Sequence, residues 1–127
     1  MIDVYIISYK NCQNNCKKKL LKLRHTLKKY NFKNIYTCSG NENISKLNVN
    51  WTKQNKHYYI WTTHKAAILK YISSKSNNHL LIVEDDVEFI HSPNTFNIYL
   101  QNILDQLQFK TWSMIMLGGL PLGFTLP

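Results

Sequence analysis

Acidic residues are scarce in this chain. Seven Asp plus Glu stand against sixteen Lys plus Arg, and four of the seven, Glu84, Asp85, Asp86 and Glu88, fall within five positions. Arginine is nearly missing: Arg24 stands alone, so the net charge of +9 rests on lysine. Proteins that read phosphates or base edges favour the planar Arg fork. The chain is also rich in Asn and Ile, so the lysine excess matches A/T-rich codon usage, and nucleic acid is not the expected partner. Proline and glycine number three and four and form no linker that would divide the chain. One domain spanning residues 1–127 is expected. No apolar run reaches the roughly 18 residues of a membrane span; the nearest, the uncharged tail 111–127, is broken by Gly118, Gly119, Pro121 and Gly123. Cysteine is limited to Cys12, Cys16 and Cys38, an odd set, and the chain does not open with a signal-peptide pattern. A reducing, cytoplasmic location is the expectation. Zinc on Cys12 and Cys16 with His25 or Cys38 is a minor alternative, since the spacing matches no knuckle.

What is there supports a core: 44% hydrophobic and 13% aromatic content in 127 residues. "VYIIS" (4–8) is a short β-branched and aromatic run, expected as a buried strand. In "CKKKLLKLRHTLKKY" (16–30), Leu20, Leu23, Leu27 and Tyr30 recur at helical spacing with the lysines largely elsewhere. "NIYTCSG" (34–40) predicts a second strand, followed by a polar, Asn-rich loop. "WTTHKAAILKYISSK" (61–75) predicts a helix capped by Thr62 or Thr63, with His64, Ile68, Tyr71 and Ile72 on one face. "HLLIV" (79–83) is a third strand. Ser92 followed by Pro93 marks a helix start, with Phe96, Leu100, Ile103, Leu104 and Leu107 on its apolar side. "WSMIMLGG" (112–119) is expected as a fourth strand. Alternating strands and helices predict an α/β fold, a mostly parallel, Rossmann-like sheet with flanking helices. In such sheets ligands bind beyond the carboxyl ends of the strands, where Ser8, Tyr9, Ser39, Gly40 and the acidic cluster fall.

Adjacent carboxylates after a buried strand repel one another and resist desolvation. A divalent cation offsets both costs, and Mg²⁺ is commonly held by one or two carboxylates together with a substrate's phosphates. Strand alternation puts Glu84 and Asp86 on one side, able to reach one ion, with Asp85 turned to a sugar hydroxyl or a backbone amide. The competing structural reading is a solvated acidic turn neutralised by lysines. Against it stands the concentration of four of seven acids at one ligand-binding edge. His64, on a face with Ile68 and Tyr71, reads on helical geometry as a packed, hydrogen-bonded histidine as readily as a ligand-binding one.

"LLIVEDD" resembles the opening strand of response-regulator receiver domains, a Mg²⁺-binding fold. In that family, however, the motif begins the domain, and only 41 residues follow Asp86 here. The order of the whole chain, "VYIISYKN", the basic helix, "IYTCSGNEN", "WTTHKAAILKYI", "HLLIVEDDVEF" and "WSMIMLGG", resembles glycosyltransferase family 25, which includes lipooligosaccharide-type transferases and procollagen galactosyltransferases. The sharpest part is Thr63-His64 followed about twenty residues later by Glu84-Asp85-Asp86; Ser8 and Tyr9 stand where the family has Asn-Leu. The resemblance implies a GT-A-like fold and transfer of a hexose such as galactose from a nucleotide sugar, a UDP-sugar by expectation, to a glycan or protein hydroxyl, as in lipopolysaccharide biosynthesis.

Under that resemblance Glu84 and Asp86 bind Mn²⁺ or Mg²⁺. Ser8, Tyr9, Lys10, Gly40, His64 and Asp85 line the donor, and Asp85 and Glu88 are the candidate catalytic groups. The chain corresponds to the donor-binding part of the family, so an incomplete domain is expected, with a partner chain as one source of the missing half. The alternatives are a non-catalytic nucleotide-sugar or metal-binding remnant, a receiver-like Mg²⁺-binding domain, and a basic adaptor for an anionic polymer.

Overall fold

The computed structural model describes residues 1–8, 14–39 and 56–118. The elements are β1 (Ile2–Ser8), α1 (Asn14–Lys29), β2 (Asn34–Ser39), α2 (Lys56–Ser73), β3 (His79–Glu84) and α3 (Pro93–Leu107). The three strands form one parallel sheet in the order β2-β1-β3. β1 is central and buried from Asp3 to Ser8, which is why its sequence reads as a nearly continuous apolar run with no alternation of polar residues. This is the expected α/β, Rossmann-like arrangement: a parallel sheet with flanking helices.

Strand alternation sorts the core into two layers. Val4, Ile6, Leu81 and Val83 face Leu23 and Leu27 of α1 and Phe96 and Leu100 of α3. Tyr5, Ile7, Cys38, Leu80 and Ile82 face Ala67 and Tyr71 of α2. Leu27 is fully buried, and truncating it to Ala would cost about 3 kcal/mol. The only arginine belongs to this frame: Arg24 donates from Nη2 to Thr37 Oγ1 (2.7 Å) and from Nη1 to the Ile35 carbonyl (3.2 Å), tying α1 to the edge strand β2.

Three expectations need correction. The segment "WSMIMLG" (112–118) contains no strand. It holds one β-branched residue, Ile115, and a strand needs a ladder as well as apolar side chains; here Trp112 instead stacks near the His79 ring, with centroids 5.4 Å apart, and Met114 and Met116 are exposed. Second, α2 begins at Lys56. Thr63 is therefore no cap but a fully buried interior residue. Third, the buried stripe of α2 runs through Thr63 and Ala67, whereas Ile68 and Ile72 are exposed. At α3, by contrast, Ser92 Oγ accepts from the Thr95 amide and Pro93 opens the helix as expected.

Candidate functional site

The site forms where β1 and β3 end side by side. Ile7 pairs with Glu84, and the ladder gains one more bond, from the Asp85 amide to the Ile7 carbonyl (3.0 Å). β3 stops there because Asp85 and Asp86 turn, closed by the Val87 amide on the Glu84 carbonyl (3.1 Å).

Glu84 and Asp85 leave this point on opposite faces, following the alternation of the strand. Glu84 continues the Leu80 and Ile82 side and meets α2: its Oε1 lies 3.4 Å from His64 Nε2. Asp85 continues the Leu81 and Val83 side, where its Oδ2 accepts a hydrogen bond from the buried Ser8 hydroxyl (3.2 Å). The predicted separation of Glu84 from Asp85 is therefore present. The predicted grouping of Asp86 with Glu84 does not follow from alternation, because the strand ends before Asp86, which is exposed in the turn.

The side chains of His64 and Glu84 are 34% and 42% exposed, so their pairing contributes at most about 1 kcal/mol. Its consequence is geometric: it holds one Glu84 oxygen toward α2. His64 is thus neither an apolar core histidine nor a free one. Beyond the turn, Phe89 packs on Tyr30 and Phe96 (centroids 4.3 and 5.2 Å), and the Tyr30 hydroxyl donates to the His91 carbonyl. These contacts anchor the C-terminal side of a loop whose Asp86, Val87 and Glu88 stay open to solvent.

Two pairs thus form at the end of the sheet on opposite faces, Ser8 with Asp85 and His64 with Glu84; Asp86 follows in the turn, and Glu88 lies exposed two residues on. Tyr9, Lys10 and Gly40 fall outside the described residues. In the zinc alternative, Cys12 and the Cys16 side chain lie outside the described residues; of the two further candidates, Cys38 is buried on the α2 side of the sheet and His25 is exposed on α1. A cavity of about 460 Å³ beside α3, lined by His91, Phe96, Tyr99 and Leu117 among others, contains none of the candidate residues.

Among the described residues no group of three or more His, Cys, Asp or Glu converges to hold a metal ion. A protein-only cage is therefore not formed there. The donor chemistry suits a hard cation: Glu84 and Asp86 offer the carboxylate oxygens such an ion prefers, as part of a coordination sphere that water and phosphate oxygens complete.

Sequence reasoning missed Thr63 as a buried strut of α2 and Ser8 as the partner of Asp85, although both residues were visible. Their relation needs the β1–β3 register, which no local pattern carries. No helix among the described residues is long and apolar enough to cross a membrane. Compared with family models, curated proteins and solved structures, the chain matches none of them.

Proposed function

We propose that this chain is the donor-binding part of a metal-dependent glycosyltransferase of GT-A type, similar to family 25, which takes a nucleotide sugar at the carboxyl ends of β1 and β3. The observation that carries this reading is the meeting of Ser8 with Asp85, and of His64 with Glu84, at one end of a parallel sheet. Residues 77 and 20 positions apart are joined at the position where parallel α/β sheets bind ligands.

In this reading Glu84 and Asp86 hold Mn²⁺ or Mg²⁺. Bound there, such an ion would supply Lewis-acid neutralisation of the negative charge on a diphosphate leaving group. The chain's own residues do the positioning. His64 fixes the Glu84 carboxylate from the α2 side. The Ser8 hydroxyl orients Asp85 from β1, leaving the other Asp85 oxygen to accept a hydrogen bond from a hydroxyl of the donor sugar. Glu88, exposed beside the turn, is the candidate to receive the proton of the acceptor hydroxyl. The acceptor is a glycan or a hydroxylated protein.

Titration of the chain with UDP-sugars in the presence and absence of Mn²⁺ tests this. Metal-dependent binding that falls at least about tenfold in Asp86→Ala, with thermal stability unchanged, supports it. If UDP-sugars do not bind, or bind equally with and without Asp86, the reading fails. Release of free sugar or transfer by the bound chain distinguishes an enzyme from a binding remnant.

A further inference from the structure

We infer that the outer face of α1 is a docking surface for anionic phospholipid headgroups, independently of the donor site. Codon usage accounts for the number of lysines but not for where they lie. Six of fifteen, Lys17, Lys18, Lys19, Lys22, Lys28 and Lys29, occupy the sixteen residues of α1, and that helix contains no Asp or Glu. All six are exposed, and none forms an ion pair among the described residues. The arrangement is locally unfavourable: Lys18 and Lys22 repel at i,i+4, and the lysines from 17 to 19 sit toward the positive end of the helix dipole. An anionic surface relieves both.

The geometry selects a lipid surface. With Leu23 and Leu27 turned to the sheet, helical spacing directs Lys18, Leu21, Lys22, His25, Lys28 and Lys29 outward on one continuous face. Leu21, flanked by Lys18, Lys22 and His25 on that face, is 66% exposed, an apolar side chain that would reach below the headgroups while the lysines stay at their level. A nucleic-acid surface would want guanidinium forks and stacking rings. The face has no aromatic residue, and Arg24 is directed at Ile35 and Thr37 of β2.

Cosedimentation of the full chain with phosphatidylcholine vesicles, with and without phosphatidylglycerol, tests the assignment. Binding is expected only to the anionic vesicles and weakens as salt rises. Each lysine near such a surface contributes about fivefold to partitioning, so Lys18→Gln, Lys22→Gln, Lys28→Gln and Lys29→Gln together should lose several hundredfold. The same charge change in Lys65, Lys70, Lys75 and Lys110 should leave most of the binding. Leu21→Gln should lose about fivefold to tenfold with every lysine retained. All substituted α1 residues are exposed, and unchanged circular dichroism verifies the fold; Lys22→Glu alone provides a second, single-site variant with a loss of at least about tenfold. Equal binding to neutral vesicles overturns the assignment. So does equal loss in the two lysine sets, or tighter binding to an RNA homopolymer than to the vesicles at the same salt.

Discussion

The two ends of the parallel sheet each hold an aspartate against β1, and they treat it differently. At the start, Asp3 is 4% exposed. Its Oδ1 accepts from the Asn34 amide on β2 (3.0 Å) and from the Asn78 amide just before β3 (2.8 Å), so one carboxylate ties all three strands at their beginning. At the finish, Asp85 is half-buried, accepts one hydrogen bond from Ser8, and stands beside three further acids. An enclosed carboxylate whose neighbours are neutral amides stabilises a fold. Asp85, at a turn opening to solvent and with one oxygen outside its Ser8 hydrogen bond, is the carboxylate on which the proposed donor site rests. Burial and hydrogen bonding alone would have ranked Asp3 above Asp85 as a site; the composition of the surroundings reverses that order.

The most severe test is to remove each aspartate. Asp3→Ala should destabilise the chain by about 3 kcal/mol, because two amide donors lose their acceptor inside the sheet. Asp85→Ala should cost under about 1 kcal/mol while abolishing UDP-sugar binding. Urea unfolding measures the first quantity and titration the second. If Asp85→Ala proves as destabilising as Asp3→Ala, the two ends are alike and the acidic end is structural.

Acid titration sharpens the same contrast. The Ser76 hydroxyl, opposed by burial and then aided by the Asn78 and Asn34 amides and the N-terminal ammonium, lowers the Asp3 pKa below its ordinary 3.8. A folded-state pKa below the unfolded one means that the unfolded chain binds the proton more readily. The stabilisation is therefore fully present above pH 3.8 and is lost as pH falls through the folded value. Comparing urea midpoints of the native chain and Asp3→Asn from pH 5 downward should show their difference shrinking below about pH 4. A constant difference would mean that the Ser76 hydroxyl and the Asn78 and Asn34 amides do not hold Asp3 ionised.

A smaller effect separates the site's own groups. Ser8→Ala removes the hydroxyl that orients Asp85 and should lower stability by about 1 kcal/mol. It should weaken UDP-sugar binding severalfold, without changing its metal dependence. Loss of the metal dependence would place Ser8 nearer the cation than its contact with Asp85 suggests.

The order of strands and helices was legible because it rests on local signals: apolar periodicity in α1, the Ser92-Pro93 start of α3, and β-branched runs in β1 and β3. The acidic turn was legible for the same reason, as charge directly after an apolar strand. Where two segments must meet, local signals failed. Asp3 drew no notice because Asn34 and Asn78 become its partners only through register. Residues 112–118 read as a strand because they are apolar, yet pairing depends on what lies opposite. Thr63 resembled a cap because threonine often is one, and only the start of α2 at Lys56 makes it interior. The opposite turns of Glu84 and Asp85 were legible from alternation, whereas Asp86 was not, since β3 ends at Glu84 and the last ladder hydrogen bond is made by the Asp85 amide.

The finest test concerns the turn that feeds Asp3. Both helices that lead into the beginning of the sheet leave through a residue in the left-handed region: Asn31 after α1 (φ 65°) and Lys75 after α2 (φ 54°). Asparagine tolerates that conformation, whereas for other L-residues it costs about 1 kcal/mol. Lys75 immediately precedes Ser76 and lies three residues before Asn78, two of the groups that hold Asp3. Lys75→Asn should therefore raise stability by about 0.5 kcal/mol, and Asn31→Lys should lower it by a similar amount. Neither should alter UDP-sugar binding at the far end of the sheet. If Lys75→Asn gains stability only above pH 4, the turn acts through the Asp3 carboxylate; a gain independent of pH assigns the effect to the backbone alone.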